Sequence, residues 1–376
     1  MNSPRPTTSS ASASASSRWR TETLALHVAI DLRLAGYRSG GIARYARELS
    51  DALQRLHSPD LTVTELHAAR APATAGTVRL RTPPHNRWEL RALPLELRVR
   101  GVQPDVYHAV DFVAPRVQRC GVVATVHDLA FLDRPGDLTP DALRWYRQLS
   151  LSRAWTDAWV TPSQWTANRL SLAYDIDPAD ITVVPHGIPA FLSGVEVVSR
   201  DARRDYVLAV GTVEPRKRLE LLLNALPYLG KQITLVVAGA PGWNTAALEA
   251  RLRNTTRVAW RTAPDDAEMR ELYRYALAVV LPSWAEGFGL PALEAMACGT
   301  PVVSSGGGAL PEVTGQVALT VEPDPAAWAA AIVRLRDDDA LWRQLSVASH
   351  EHAQQFRWER AAEETFAVYR AVAARA

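Results

Sequence analysis

Residues 286–303 read EGFGLPALEAMACGTPVV. Two glutamates, Glu286 and Glu294, stand eight positions apart in it. Between them lies a Gly287-Phe288-Gly289 turn, Leu290 and a proline, Pro291; Gly299-Thr300-Pro301 closes the stretch. Residues 276–281 ahead of it are all apolar and an apolar run resumes at 302, so the unit reads strand, loop, short helix, loop, strand. Gly287 and Gly289 let the backbone turn sharply and come close to a bound group. Pro291 suits the first helical position, where no N–H is needed. That start puts Glu294 in the first helical turn, where the dipole favours a carboxylate. Glu286 falls on the loop, facing the crevice beyond the strand's carboxyl end, where open α/β sheets bind ligands. The plain alternative is a helix-favouring acid at 294 and a solvated loop charge at 286.

Upstream, residues 206–210 form a strand followed by Gly211-Thr212-Val213-Glu214-Pro215-Arg216-Lys217-Arg218 and a helix over 219–229. Three cations at a helix amino end oppose the dipole. An anion there relieves the conflict and gains the helix N–H groups, and a diphosphate is the natural candidate. Arg216 offers a planar fork and Lys217 a point charge; Arg218 reads as exposed. Residues 234–238 and 258–260 are further strands, with Arg261 just beyond the second. Residues 305–308 are Ser-Gly-Gly-Gly, read either as a turn near a ligand or as a mobile loop.

The first half repeats the strand–helix alternation. A strand at 24–32 leads through Gly36, Gly40 and Gly41 into a helix over 42–56, an anion nest or simply a tight turn. Strands follow at 61–66, 106–108, 121–126, 158–161 and 181–184, with Ser163 as the expected N-cap of a helix over 164–173. His127-Asp128 closes the 121–126 strand, facing the same crevice if the sheet is parallel; a satisfied core histidine is the alternative. His186, on a loop, reads as solvated. Residues 79–100 carry Arg79, Arg81, Arg87, Arg91, Arg98 and Arg100 against Glu89 and Glu96, interleaved with Trp88, Leu90, Leu93, Leu95, Leu97 and Val99. Two readings fit: contact with an anionic membrane or lipid-linked acceptor, or a solvated helix face.

The Glu286–Glu294 string resembles the E-x7-E signature of retaining, group-1 (family 4 type) glycosyltransferases of the GT-B fold, a family with many mannosyl- and glucosyltransferases. The Gly211–Lys217 segment matches the family's G-x-x-x-x-R-K, Thr125 to Asp128 its T-x-H-D, and Phe356-Arg357-Trp358-Glu359 the start of its final helix. The resemblance implies two Rossmann-like doubly wound domains facing across a cleft, with a last helix crossing back to the first. It implies a nucleotide-sugar donor (GDP-, UDP- or ADP-linked, with mannose the leading expectation), retention at the anomeric carbon, no metal and no cofactor. Donor contacts carry over to Gly41, Gly211, Arg216, Lys217, Arg261, Glu286, Gly287, Phe288, Gly289, Leu290 and Glu294. Catalytic roles carry over to His127, Arg216, Lys217 and Glu286, with His127 a hydrogen-bonding and electrostatic support. Val258-Ala259-Trp260-Arg261 departs from the family's base-binding pattern, leaving the nucleotide open. The acceptor is expected to be a glycan or lipid-linked hydroxyl on the first domain.

The 376 residues suffice for two domains. The expected divisions are a disordered tail at 1–22, an acceptor domain at 23–195, a nucleotide-sugar domain at 196–356 and a returning helix at 357–376. A net charge of +2 with 22% charged residues points to no nucleic-acid partner. Cys120 and Cys298 read as small buried hydrophobes in a reducing compartment. The expected location is the cytoplasm, at the inner membrane surface if the basic stretch engages lipid. A nucleotide-sugar epimerase or hydrolase, or a non-catalytic nucleotide-sugar-binding module, are the other classes open. A dinucleotide oxidoreductase is disfavoured because no strand leads into an intact G-x-G-x-x-G.

Overall fold

The structure is a computed structural model describing residues 25–36, 40–70, 76–86, 88–138, 140–243 and 245–375. The tail expected at 1–22 lies outside the described residues, as does Arg87.

Two parallel sheets organise the chain. The first contains β1 (Leu26–Asp31), β2 (Leu61–Ala68), β3 (Thr77–Leu80), β4 (Val106–Ala109), β5 (Gly121–Thr125), β6 (Ala158–Thr161) and β7 (Ile181–Val183), in the order 3-2-1-4-5-6-7. The second contains β8 (Arg204–Val210), β9 (Thr234–Ala238), β10 (Val258–Arg261), β11 (Ala276–Leu281), β12 (Val302–Ser304) and β13 (Leu319–Thr320), in the order 10-9-8-11-12-13. Each is doubly wound, with its strand order reversing once, between β1 and β4 and between β8 and β11. Central strands such as β5 and β11 are buried along their whole length. They therefore read as unbroken apolar runs, not alternations, because helices cover both faces of a parallel sheet.

Residues 184–203 connect the sheets through two short 3-10 turns, Ala190–Leu192 and Arg200–Ala202. The helices Pro325–Asp337 and Asp339–Ala353 stay with the second sheet; Trp328 and Trp342 are in its core. The last helix, Trp358–Ala373, returns to the first sheet, where Ala362, Phe366, Tyr369 and Val372 join the core of β1, β4, β5 and the Gly41–Arg55 helix. These four recur at three- and four-residue spacing, one face of the helix. Tyr369 Oη lies 2.6 Å from His108 Nδ1 in the sheet interior.

Some local expectations need correction. The helix after Lys217 spans only Leu219–Ala225 and tightens into a 3-10 turn, Leu226–Tyr228, because Pro227 cannot supply a helical N–H. The basic stretch is not one amphipathic element: Thr77–Leu80 is an edge strand and the helix is Glu89–Val99. Cys298 is buried, whereas Cys120 is half-buried in the turn ahead of β5; both are free thiols. Among the described residues, no helix is long and apolar enough to cross a membrane.

Candidate functional site

The second sheet's reversal point brings together the loops after β8 and β11. Glu286, on the second loop, is buried and ringed by donors. Lys217 Nζ is 2.6 Å from Oε1, Ser283 Oγ donates to Oε1 at 2.6 Å, and Arg216 Nη1 reaches Oε2 at 3.1 Å. Burial alone would raise the Glu286 carboxyl; Lys217 and then Arg216 outweigh it and hold it at about 2. Arg216 Nε pairs with Glu214 at 2.7 Å, and its Nη2 lies 4.0 Å from Asp128 of the first domain. The stem of Lys217 lies over Gly211, close enough that a Cβ there would meet its Cε at 3.0 Å.

This corrects the charge reading of the segment. Glu286 and Glu214 already pair with two of the three cations, Lys217 and Arg216, ahead of the Leu219–Ala225 helix, so the protein itself supplies most of the counter-charge that the pattern calls for. What remains for a ligand is narrower: the ammonium protons of Lys217 not used on Glu286, and the Arg216 Nη2 edge toward the cleft. Arg218, expected to be exposed, adopts left-handed backbone (φ 50°) with its guanidinium 4.1 Å from the Trp284 ring centroid.

Glu294 stands apart, held by different partners. The helix starts at Leu290, which moves Pro291 to its second position and Glu294 into its second turn, so the helix dipole is not what holds this carboxyl. Tyr273 Oη donates to it at 2.5 Å, and Arg44, from the first domain, comes within 3.8 Å. Burial dominates and lifts its pKa to about 7, against the pull of Arg44 and Tyr273. Arg44 also bonds Asp266 at 2.8 Å, so it bridges the domains in front of Glu294.

Between the two glutamates the domains touch. A Cβ on Gly287 would stand 1.8 Å from the His127 carbonyl oxygen, and the Gly287 carbonyl accepts from Ser163 Oγ at 2.7 Å and Thr166 Oγ1 at 3.1 Å. The group pressed on Gly287 is thus the other domain's backbone. Ser163 also N-caps its helix, as expected. Glu312 caps the same helix across the cleft, accepting from Gln164 and Trp165 N–H at 2.7 Å each. Gly289 (φ 99°) precedes the helix and packs against Leu310. Leu290 Cδ1 would lie 3.6 Å from a side chain at Gly41, which opens the Gly41–Arg55 helix on the facing wall.

His127 stands at the end of β5 with Nε2 2.8 Å from the Val110 carbonyl, so Nε2 carries the proton and Nδ1 is an acceptor. Burial lowers its pKa against the pull of Asp111. A ligand therefore meets a neutral ring that accepts at Nδ1, not a donor. His186 is buried, not solvated. It stacks on Trp358 (5.7 Å, 20°) and meets the edge of Phe288 at 4.7 Å. Phe288 is thus a domain-junction residue. Arg261 is not brought to the Lys217–Glu286 cluster: it ends β10, half-exposed, with Nε 3.3 Å from Glu268. The 305–308 loop is packed backbone against backbone, with Gly308 bridged to Glu286. Ser283, Glu214, Arg44 and Tyr273 belong to the site and were not singled out by the sequence; only Glu214, inside the Gly211–Lys217 segment, carried a local signal.

Residues 39–190 match the family model for glycosyltransferase family 4, and residues 204–338 that for glycosyl transferases group 1. Over 324 residues the chain is 32% identical to the O-antigen chain mannosyltransferase B of Escherichia coli, covering 80% of this chain and 81% of that protein. The chain belongs to the group 1, family 4 glycosyltransferases. It is also 35% identical over 243 residues to a D-inositol 3-phosphate glycosyltransferase of Salinispora arenicola, covering 57% of this chain and 54% of that one. Among solved structures, a sucrose-phosphate synthase from Thermosynechococcus elongatus superposes with a TM-score of 0.76 at 23% identity, covering 93% of this chain and 100% of that one. Anabaena HepE in complex with UDP-glucose follows at 0.70 and 16%, covering 92% and 99%. The glycosyltransferase thus has the GT-B fold.

Proposed function

We propose that this glycosyltransferase moves a hexose from a nucleoside-diphosphate sugar to a hydroxyl of a glycan or lipid-linked acceptor, with retention and without a metal. The observation that carries the reading is Lys217 and Arg216 meeting Glu286 at the reversal point of the second sheet, the ligand position of doubly wound folds. The bond between the anomeric carbon and the diphosphate oxygen breaks as the bond to the acceptor oxygen forms on the same face. Charge growing on the leaving diphosphate is met by Lys217 and by the Arg216 Nη2 edge. The acceptor's proton passes to the departing phosphate oxygen. Glu286, kept ionised, accepts hydrogen bonds from the sugar hydroxyls. Glu294 takes the ribose once Arg44 swings aside.

Mannose remains the leading donor sugar, supported by the E. coli relative's name; UDP-glucose in the HepE complex keeps the base open. A thermal-shift and nucleotide-release screen across GDP-, UDP- and ADP-sugars tests this, with the anomeric configuration of the product read by NMR. Binding of no nucleotide sugar overturns the donor assignment, and an inverted product overturns retention. Donor turnover that never needs an acceptor favours an epimerase or hydrolase.

Peripheral membrane contact is part of the same proposal. Trp88, Leu95 and Val99 are 55%, 64% and 79% exposed along one stripe of the Glu89–Val99 helix region, beside exposed Arg91, Arg98 and Arg100. Such a stripe suits an anionic interface. Binding to anionic vesicles that falls with salt supports it; equal retention on neutral vesicles, or none on either, removes it.

A further inference from the structure

The cleft mouth carries a second basic feature, outside the Lys217–Glu286 cluster. Trp284 follows β11 and stands two positions before Glu286. Its backbone is locked on both sides: its N–H donates to the Arg216 carbonyl at 2.9 Å, and a Cβ on Gly307 would stand 2.3 Å from its carbonyl oxygen. Yet its side chain is 54% exposed, where Glu286 is buried. Two guanidiniums converge on this one ring. Arg218 lies 4.1 Å from the centroid, and Arg134, from the first domain, 5.8 Å. Arg134 closes the short Ala130–Asp133 helix that follows His127-Asp128, so the first domain reaches the rim of the second at this point. A lone exposed tryptophan is ordinary; one that gathers an arginine from each domain is not.

The neighbouring cations are already matched. Lys217 holds Glu286, Arg216 holds Glu214, and Arg44 holds Asp266. Asp133, beside Arg134, is taken by Arg169 at 2.5 Å. Arg218 is different: among the described residues no carboxylate pairs with it, and its contact is the Trp284 ring. Burial and then the like charge of Arg134 push its pKa down, with no acid pulling it back. Its backbone, at φ 50°, is left-handed, which favours glycine or asparagine over a long side chain. A cation held in that conformation, against a ring shared with a second cation, opposes both sterics and Coulomb repulsion. An anion between the two guanidiniums relieves the repulsion. Stacking occupies only the flat face of a guanidinium; its N–H edge stays free, in plane, for an oxyanion.

We infer that Trp284, Arg218 and Arg134 form a binding site for an oxyanion, a phosphate or a carboxylate, carried by the acceptor. This site presupposes the transferase reading above and gives its acceptor a charge class and a contact on the second domain. The donor's diphosphate is matched separately, by Lys217 and the Arg216 Nη2 edge. Lys217 and Glu286 are buried and Trp284 is exposed, so the rim is the solvent side of that cluster, where a second substrate enters. An anion gripped there ties the acceptor to both domains at once.

The test uses the full chain and saturation-transfer NMR, with and without saturating UDP, GDP or ADP. Three probes differ in charge: methyl glucoside is neutral, methyl glucuronide carries a carboxylate and D-inositol 3-phosphate a phosphate. With nucleotide bound, at least one anionic probe should bind about fivefold or more tightly than the glucoside, and the tighter of the two names the anion. That preference should vanish in Arg218→Asn and in Arg134→Gln, with nucleotide binding by calorimetry unchanged. Asparagine suits a left-handed backbone, so Arg218→Asn should melt no lower than wild type, which separates lost anion binding from lost fold. Equal binding of all three probes, binding of none, or a preference that survives either variant overturns the site and leaves the donor reading standing. A wild type that binds none of the nucleotides strikes the donor reading instead, and the probe preference without nucleotide then decides the rim.

Discussion

Replacing Lys217 with methionine isolates the charge at the centre of the site. Methionine keeps an unbranched stem over Gly211 and deletes the ammonium 2.6 Å from Glu286. The fall of the Glu286 carboxyl from 4.5 to about 2 corresponds to about 3 kcal/mol of preference for its charged form. Lys217 is the stronger of the two cations responsible. Breaking a buried pair commonly costs about 3–5 kcal/mol; with Arg216 still at 3.1 Å the expected loss is about 2–3 kcal/mol. The catalytic loss is separate. Removing one preorganised donor from a developing anion costs about 10²–10³ in rate. Nucleotide release with a saturating acceptor gives kcat/KM, and urea melts give stability. The double variant Lys217→Met/Glu286→Gln removes the orphaned charge, so it should recover most of the stability and none of the activity. A folded Lys217→Met enzyme whose kcat/KM stays within about threefold of wild type, under about 1 kcal/mol of lost transition-state stabilisation, refutes the phosphate role. A double variant no more stable than the single refutes the charge argument.

Three further outcomes follow from the geometry. Gly287→Ala places a Cβ 1.8 Å from the His127 carbonyl oxygen, so the domains should part: the radius of gyration by X-ray scattering should rise and activity fall, while each sheet's circular dichroism persists. The two glutamates tilt stability oppositely with pH. Glu294, near 7 when folded, binds more protons folded than unfolded between about pH 4.5 and 7, so stability falls as pH rises through that window; Glu286, near 2, makes stability fall as pH drops from about 4.5. Melts of Glu294→Gln should lose the part of the first slope nearest pH 7, leaving the share from Glu89, raised by burial to about 6, and keep the second. Trp358→Ala empties the junction where His186 stacks, and should cost about 3–5 kcal/mol in urea unfolding; a loss under about 1 kcal/mol contradicts the packing of the returning helix.

Much of the architecture was legible because parallel strands buried on both faces write themselves as short apolar runs. Residues 121–126, 234–238 and 276–281 are examples, and residues 286–303 do form a loop, a short helix and a strand as their spacing suggested. Short edge strands at Thr77–Leu80 and Leu319–Thr320 gave no such run. The meeting of Lys217 with Glu286 follows from the parallel pairing of β8 and β11, so local sequence around either residue cannot contain it. The same holds for Arg44, which reaches Glu294 from 250 positions away in the chain, and for Gly287, whose missing Cβ answers to a carbonyl in the other domain. Glu294's raised pKa comes from burial beside Tyr273, where the sequence suggested a dipole. His186 was misread because a loop histidine has no periodicity to announce its burial.

The most direct test of the central claim is a structure of the enzyme with a nucleoside diphosphate, UDP or GDP. Diphosphate oxygens are expected within about 3 Å of Lys217 Nζ and the Arg216 Nη2 edge, with the ribose toward Glu294. A diphosphate seated on the first domain, or on the second with Lys217 still bonded only to Glu286, contradicts it.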